Sequence, residues 1–99
     1  MTTNLNLPEA YQQDIARAVE ILKAGGCHEI YLFGSLADGN IRDGSDIDFA
    51  VKGCPQRKFF YLQGKLLLEL RHSADLVSLD SDDPFARYLE EEGRLRQLV

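Results

Sequence analysis

The chain has 99 residues, a formal net charge of −5 and 44% hydrophobic side chains, which fits one small domain over 1–99 with a modest core. The acidic surplus argues against direct, sequence-independent nucleic-acid binding; it permits a basic protein partner and raises the need for Mg²⁺ if the substrate is a nucleotide. No apolar run approaches the roughly 20 residues that cross a bilayer; the start, Met1-Thr2-Thr3-Asn4, has no secretory pattern, and Cys27 and Cys54 are too few for a disulfide scaffold and match no zinc motif, so free, inert thiols in a reducing cytoplasm are expected.

Asn6, Pro8 and Glu9 mark a helix start, with proline in the first turn and an acid near the positive end of the dipole. Tyr11, Ile15, Val19 and Leu22 form one apolar stripe, and Gly25-Gly26 ends that helix. Glu29 to Phe33 reads as a buried strand. A short helix from Ser35 to about Ala37 follows, then turns at Asp38-Gly39-Asn40 and Asp43-Gly44-Ser45. A second strand covers Asp46–Val51 and is broken by Gly53-Cys54-Pro55. A longer helix carries Phe59, Leu62, Leu66 and Leu70 as its stripe, closed by His72 and Ser73. Ala74 to Leu79 is a third strand. Asp83-Pro84 caps a final short helix, about 84–92, that stops at Gly93. The tail from Arg94 has no assignment. The alternation of helices and strands predicts a small α/β domain of two or three layers.

Gly34-Ser35, ten residues, and then Asp46-Ile47-Asp48 concentrate the chemistry. Ser35 is a favoured N-cap where a strand gives way to a helix, and such a helix end offers unpaired N–H groups to an anion. Gly34 lacks a Cβ, so a phosphate can approach its backbone. On a strand, period two puts Asp46 and Asp48 on one face, with Cα atoms roughly 6.5 Å apart. Carboxylates so spaced can converge on one hard cation or on two ions about 3.5–4 Å apart. Asp75 is a third acid, flanked by Leu76, Val77 and Leu79, where a carboxylate is costly unless paired, solvated or metal-bound. Together the three point to nucleotide chemistry.

Each feature alone has a plainer reading: Gly34-Ser35 as an ordinary strand-to-helix turn, Asp46 as a turn residue, Asp48 and Asp75 as exposed strand acids. Phe59, Phe60 and Tyr61 read as core and helix surface rather than a base-stacking platform, and His72 as a helix-end residue. Glu90-Glu91-Glu92 reads as a solvated face, or one that meets a basic partner. Lys52, Arg57, Lys58 and Lys65 are candidate phosphate or partner contacts.

Taken together, Leu32-Phe33-Gly34-Ser35-Leu36-Ala37-Asp38-Gly39, Ser45-Asp46-Ile47-Asp48-Phe49-Ala50-Val51, Ala74-Asp75-Leu76-Val77 and Glu91-Glu92-Gly93 resemble the minimal nucleotidyltransferase (MNT) domains of the DNA polymerase β-like superfamily. The resemblance runs over most of residues 8–95. It implies a small α/β (α+β) nucleotidyltransferase fold, a mixed β-sheet with helices packed on one side. It implies that Gly34 and Ser35 hold the triphosphate of ATP, that Asp46 and Asp48 bind Mg²⁺, two ions in all, and that Asp75 completes the metal site and serves as, or assists, the general base. One departure stands out: many relatives carry a basic residue where this chain has Asp38, and Arg42 in the same loop is the candidate replacement.

MNT domains are typically encoded beside a HEPN-domain toxin. The resemblance implies an antitoxin of a type VII-like HEPN/MNT pair that transfers AMP from ATP to a toxin tyrosine, possible as a hetero-oligomer with that toxin. Two alternatives remain: an antitoxin that blocks the toxin by contact alone, and a nucleotidyltransferase acting on a small molecule. The last usually needs an added substrate-binding domain, or a dimer to supply one.

Overall fold

The computed structural model describes residues 7–38, 44, 46–91, 93 and 95–99. Its order is α1 (Glu9–Ala24), β1 (Glu29–Phe33), α2 (Ser35–Asp38), β2 (Ile47–Lys52), a 3₁₀ turn at Gln56–Lys58, α3 (Phe59–Glu69), β3 (Ala74–Ser78), α4 (Pro84–Glu91) and β4 (Arg96–Gln97). The strands form one mixed sheet in the order β3-β2-β1-β4. β1 pairs antiparallel with β2 and β4, whereas β2 and β3 run parallel. The parallel pair follows from the α3 crossover, since parallel neighbours need a long connection.

The two faces of the sheet have different covers. Ile30, Leu32, Ile47, Phe49, Val51, Ala74 and Leu76 point into the main core, where Tyr11, Ile15, Ala18, Ile21 and Leu22 of α1, Leu36 and Ala37 of α2, and Leu62 and Leu66 of α3 meet them. Gly25 brings α1 and α3 together: a Cβ there would run into the Leu62 side chain. On the other face, α4 sets Leu89 against Ala50 and Leu79, with Tyr31, Phe33 and Val77 packed around them. Lys52 Nζ pairs with Glu90 Oε2 at 2.9 Å and ties β2 to α4, so one of the lysines considered for phosphate is already engaged. Asp83 Oδ1 accepts the Phe85 N–H at 3.0 Å, which is the cap expected at that helix start. The unassigned tail returns as β4, fixed by the Leu98 N–H donating to Ile30 O at 2.7 Å.

The expectation of two free thiols is overturned: Cys27 and Cys54 form a disulfide. The β1–β2 ladder runs from Phe33↔Asp48 out to Glu29↔Lys52, and the His28 N–H still donates to Lys52 O at 3.0 Å. One step further along that register, the two cysteines face each other. The bond spans a sequence separation of 27, a loop length for which cross-linking adds about 3.5 kcal/mol. We expect a thiol assay of protein denatured without reductant to find no free thiol, and dithiothreitol to lower Tm without unfolding the protein at room temperature. An unchanged Tm would show that the bond carries none of the stability.

Candidate active site

The end of β1 makes a sharp corner. Gly34 lies at φ +78°, a left-handed conformation open to glycine at little cost. A Cβ at position 34 would collide with Asp48 Oδ2, so the corner and the carboxylate share one space. α2 starts at the next residue, Ser35. Arg96 of β4 braces the short helix from below, its Nε donating to Ala37 O at 2.9 Å. The structure therefore places Gly34 and the first turn of α2 directly beside Asp48. Arg42, and Asp43 and Ser45 of the second turn, lie outside the described residues, as does the Gly39-Asn40 part of the first; Gly44 keeps a turn conformation with φ +81°.

The acids meet across the parallel pair. Asp48 stands opposite Asp75 in register, and opposite Phe33 on its other side. In-register residues on neighbouring strands project to the same face, so Asp48 and Asp75 both face away from the main core. Asp46 immediately precedes β2 rather than lying in it and is exposed, as is Asp75; Asp48 is half-buried. Burial pushes the Asp48 carboxyl above its ordinary range, and the charges of Asp75 and Asp46 push it further. The three acids are thus close enough to feel one another.

Three carboxylates are the donor set that a hard divalent cation takes, and the like-charge crowding at Asp48 is the kind that a cation relieves. By donor type and by strand pairing the residues fit such an ion. Among the described residues, no three acidic, histidine or cysteine side chains are gathered closely enough to hold a metal as they stand. Asp46 and Asp75 are exposed, so their side chains are open to solvent.

One buried acid escaped the sequence reading. Asp14 of α1 is only 5% exposed. Its Oδ2 accepts the backbone N–H of Arg71 and of His72, both at 2.9 Å, and meets His72 Nδ1 at 2.8 Å. The His72 ring stacks on Tyr11, centroids 3.8 Å apart. Next in the chain, Ser73 O accepts the Ile47 N–H at 2.9 Å, and β3 begins. His72 is therefore the middle of a clamp that fixes the entry to β3, not a mere helix-end residue. The signal was present: Asp14 falls three residues after Tyr11 and one before Ile15, on the buried stripe of α1.

The sequence profile of the polymerase beta nucleotidyltransferases matches residues 17–95. The chain belongs to this nucleotidyltransferase family. Comparison with curated proteins finds no match. Among solved structures, the nucleotidyltransferase fold is similar to a toxin–antitoxin crystal structure with AMP-PNP, at 28% identity and TM-score 0.64 over 85% of this chain and 70% of the other. It is also similar to a complex of a tri-AMPylated Shewanella oneidensis HEPN toxin with an MNT antitoxin, at 26% identity and TM-score 0.60 over 85% and 69%. A proposed minimal nucleotidyltransferase shares the fold over 94% of this chain and 98% of its own, with TM-score 0.65 and 22% identity. The mixed four-stranded sheet is that of a minimal nucleotidyltransferase.

Two outcomes follow from these electrostatics. Because the folded state raises the Asp48 carboxyl, its ionised form opposes folding at neutral pH, and that opposition disappears as pH falls through the raised value. Asp48→Asn should therefore raise Tm of the metal-free protein at pH 7 by about 4 °C, with a gain that shrinks in acid; a lowered Tm at pH 7 would contradict the crowding. For Asp14, burial works to raise the carboxyl, but the His72 side chain and the His72 and Arg71 N–H groups outweigh it and hold it below its ordinary range. The stabilisation is present above the unfolded value of 3.8 and is lost as pH falls through the folded one. Asp14→Asn should cost about 2 kcal/mol at pH 7, and the gap from wild type should close below that unfolded value. A gap independent of pH would reject the clamp's charge dependence.

Proposed function

We propose that the protein is the antitoxin of a HEPN/MNT pair and acts by Mg²⁺-dependent transfer of AMP from ATP to a tyrosine hydroxyl of the HEPN toxin. The observation that carries this reading is the meeting of Gly34, Asp48 and Asp75 at one end of the sheet, a glycine corner beside paired acids. Family membership supplies the reaction class. The relatives solved with AMP-PNP and with a tri-AMPylated HEPN toxin support the nucleotide and the partner.

In this reading the triphosphate lies against Gly34 and the start of α2, whose N–H groups point at the anion. Asp46, Asp48 and Asp75 would hold the magnesium, which would neutralise charge on the phosphates. The toxin hydroxyl approaches from the flank of Asp75, on edge strand β3. Asp75 accepts its proton, a bond forms from the hydroxyl oxygen to the α-phosphorus, and the bond to the bridging α–β oxygen breaks to release pyrophosphate. The chain's own contribution is orientation and charge placement, which is most of what phosphoryl-type transfer asks of a protein. Gly34 and Ser35 bind, Asp46 and Asp48 orient, Asp75 moves the proton, and Arg42 assists at the phosphates.

The reading locates the protein in the cytoplasm, in complex with its toxin. Among the described residues no helix is long and apolar enough to cross a membrane.

Incubation with ATP, Mg²⁺ and the folded HEPN partner should add one or more AMP units to a partner tyrosine by intact and peptide mass. The double variant Asp46→Asn, Asp48→Asn should lose that transfer by at least about a thousandfold, and with it protection of cells from the toxin. A double variant that still protects cells would instead establish an antitoxin that works by contact alone.

A further inference from the structure

We infer that Phe85 and Tyr88 on the exposed face of α4 form a stacking shelf for the adenine of the donor nucleotide. This rests on the nucleotidyl-transfer reading and deepens it, since no residue has so far been assigned to the base. The shelf is continuous with the site. Phe33 pairs directly with Asp48 across the antiparallel ladder, where opposed Cα atoms are about 5 Å apart. The Phe85 ring meets the Phe33 ring edge-on with centroids 6.1 Å apart. Tyr88 follows one helical turn later, its ring near-parallel to that of Phe85 with an interplanar angle of 20°. Three aromatic rings therefore lead from the Phe33–Asp48 pair up onto α4, Phe85 first and Tyr88 with its ring centroid a further 6.5 Å along.

Exposure separates the shelf from ordinary packing. Ala86 and Leu89 already fasten α4 to the sheet, while Phe85 and Tyr88 leave 46% and 56% of their surface in solvent. The outward face of a surface helix is normally polar, so two large rings there, beside the acids, have area to offer a flat apolar ligand. Direction selects the ligand. In-line transfer sets the acceptor and the pyrophosphate on opposite sides of the phosphorus, which here means the Asp75 flank and the Gly34 flank. The ribose oxygen then leaves at right angles to that line, and α4 is the element that stands on the sheet face the acids share. Phe60 and Tyr61 are exposed too, at 80% and 62%, but they sit on α3, which packs against the opposite face through Leu62 and Leu66. They are out of reach of the base.

The test is calorimetric titration of the full chain, in Mg²⁺, with the α,β-methylene analogue of ATP and, separately, with inorganic tripolyphosphate. Base–aromatic stacking lost to alanine weakens binding roughly tenfold or more per ring. Phe85→Ala and Tyr88→Ala should each weaken the ATP analogue about tenfold and leave tripolyphosphate unchanged, with Tm held. Phe85→Leu, which keeps apolar bulk against Phe33, should reproduce the loss if Phe85→Ala disturbs the helix. Equal losses for both ligands, or no loss for either, would overturn the shelf. Unchanged binding of the ATP analogue with impaired transfer to the partner would also overturn it, and would assign the surface to the acceptor protein. A wild-type chain that binds neither ligand would sink the nucleotidyl-transfer reading itself, whereas one that binds both equally well would sink the shelf alone.

Discussion

The left-handed corner at Gly34 and the carboxylate of Asp48 occupy adjoining space, and no side chain can stand between them. That contact joins a helix start, where N–H groups are unpaired, to an acid that stands level with a second acid, Asp75, on the next strand. Each half is unremarkable alone: glycine corners end many strands, and acids often border sheets. Their contact puts an anion-seeking surface against an anionic one. Burial first, and then the charges of Asp75 and Asp46, raise the Asp48 carboxyl there, a cost that a hard cation is suited to relieve. It is the kind of local cost that sites of chemistry retain and that packing elsewhere offsets.

The helical side of the sheet supplies the rigidity this arrangement needs. Asp75 sits one residue into β3, so its position is only as definite as the entry to that strand. Asp14 fixes that entry by accepting from two consecutive backbone N–H groups and meeting His72, held against Tyr11. The Ile47 N–H bond to Ser73 O then sets the register of β3 on β2, and the register is what brings Asp75 level with Asp48. On the other flank, Arg96 holds the Ala37 carbonyl, so the last strand supports the first turn after Gly34. Both sides of the site are thus positioned from behind by polar contacts to the backbone.

Much of this was legible in the sequence, for physical reasons. β1 matches its expected bounds, Glu29 to Phe33, because an apolar run bounded by glycines leaves few options. The stripes of α1 and α3 were visible at helical spacing. What was hidden depends on which distant segments pair. The Cys27–Cys54 bond needs the register of the β1–β2 ladder, and the Asp48–Asp75 alignment needs a parallel register set by a loop contact. Asp14 was overlooked because an acid in an early helical turn reads as dipole complement, though its place on the apolar stripe says otherwise. β4 is only Arg96–Gln97, too short to show alternation. The aromatic residues first weighed for stacking, Phe59 to Tyr61, lie on the helix that covers the other side, and only the sheet topology reveals that Phe85 and Tyr88 share a face with the acids.

The most direct examination of the central claim is a titration of the protein with the α,β-methylene analogue of ATP, with Mg²⁺ present and again after its chelation, in wild type and in Asp75→Asn. The expected result is nucleotide affinity that depends on Mg²⁺ in the wild type and loses most of that dependence when Asp75 is neutralised. Affinity indifferent both to Mg²⁺ and to Asp75 would contradict a site in which the three acids and the Gly34 corner act together.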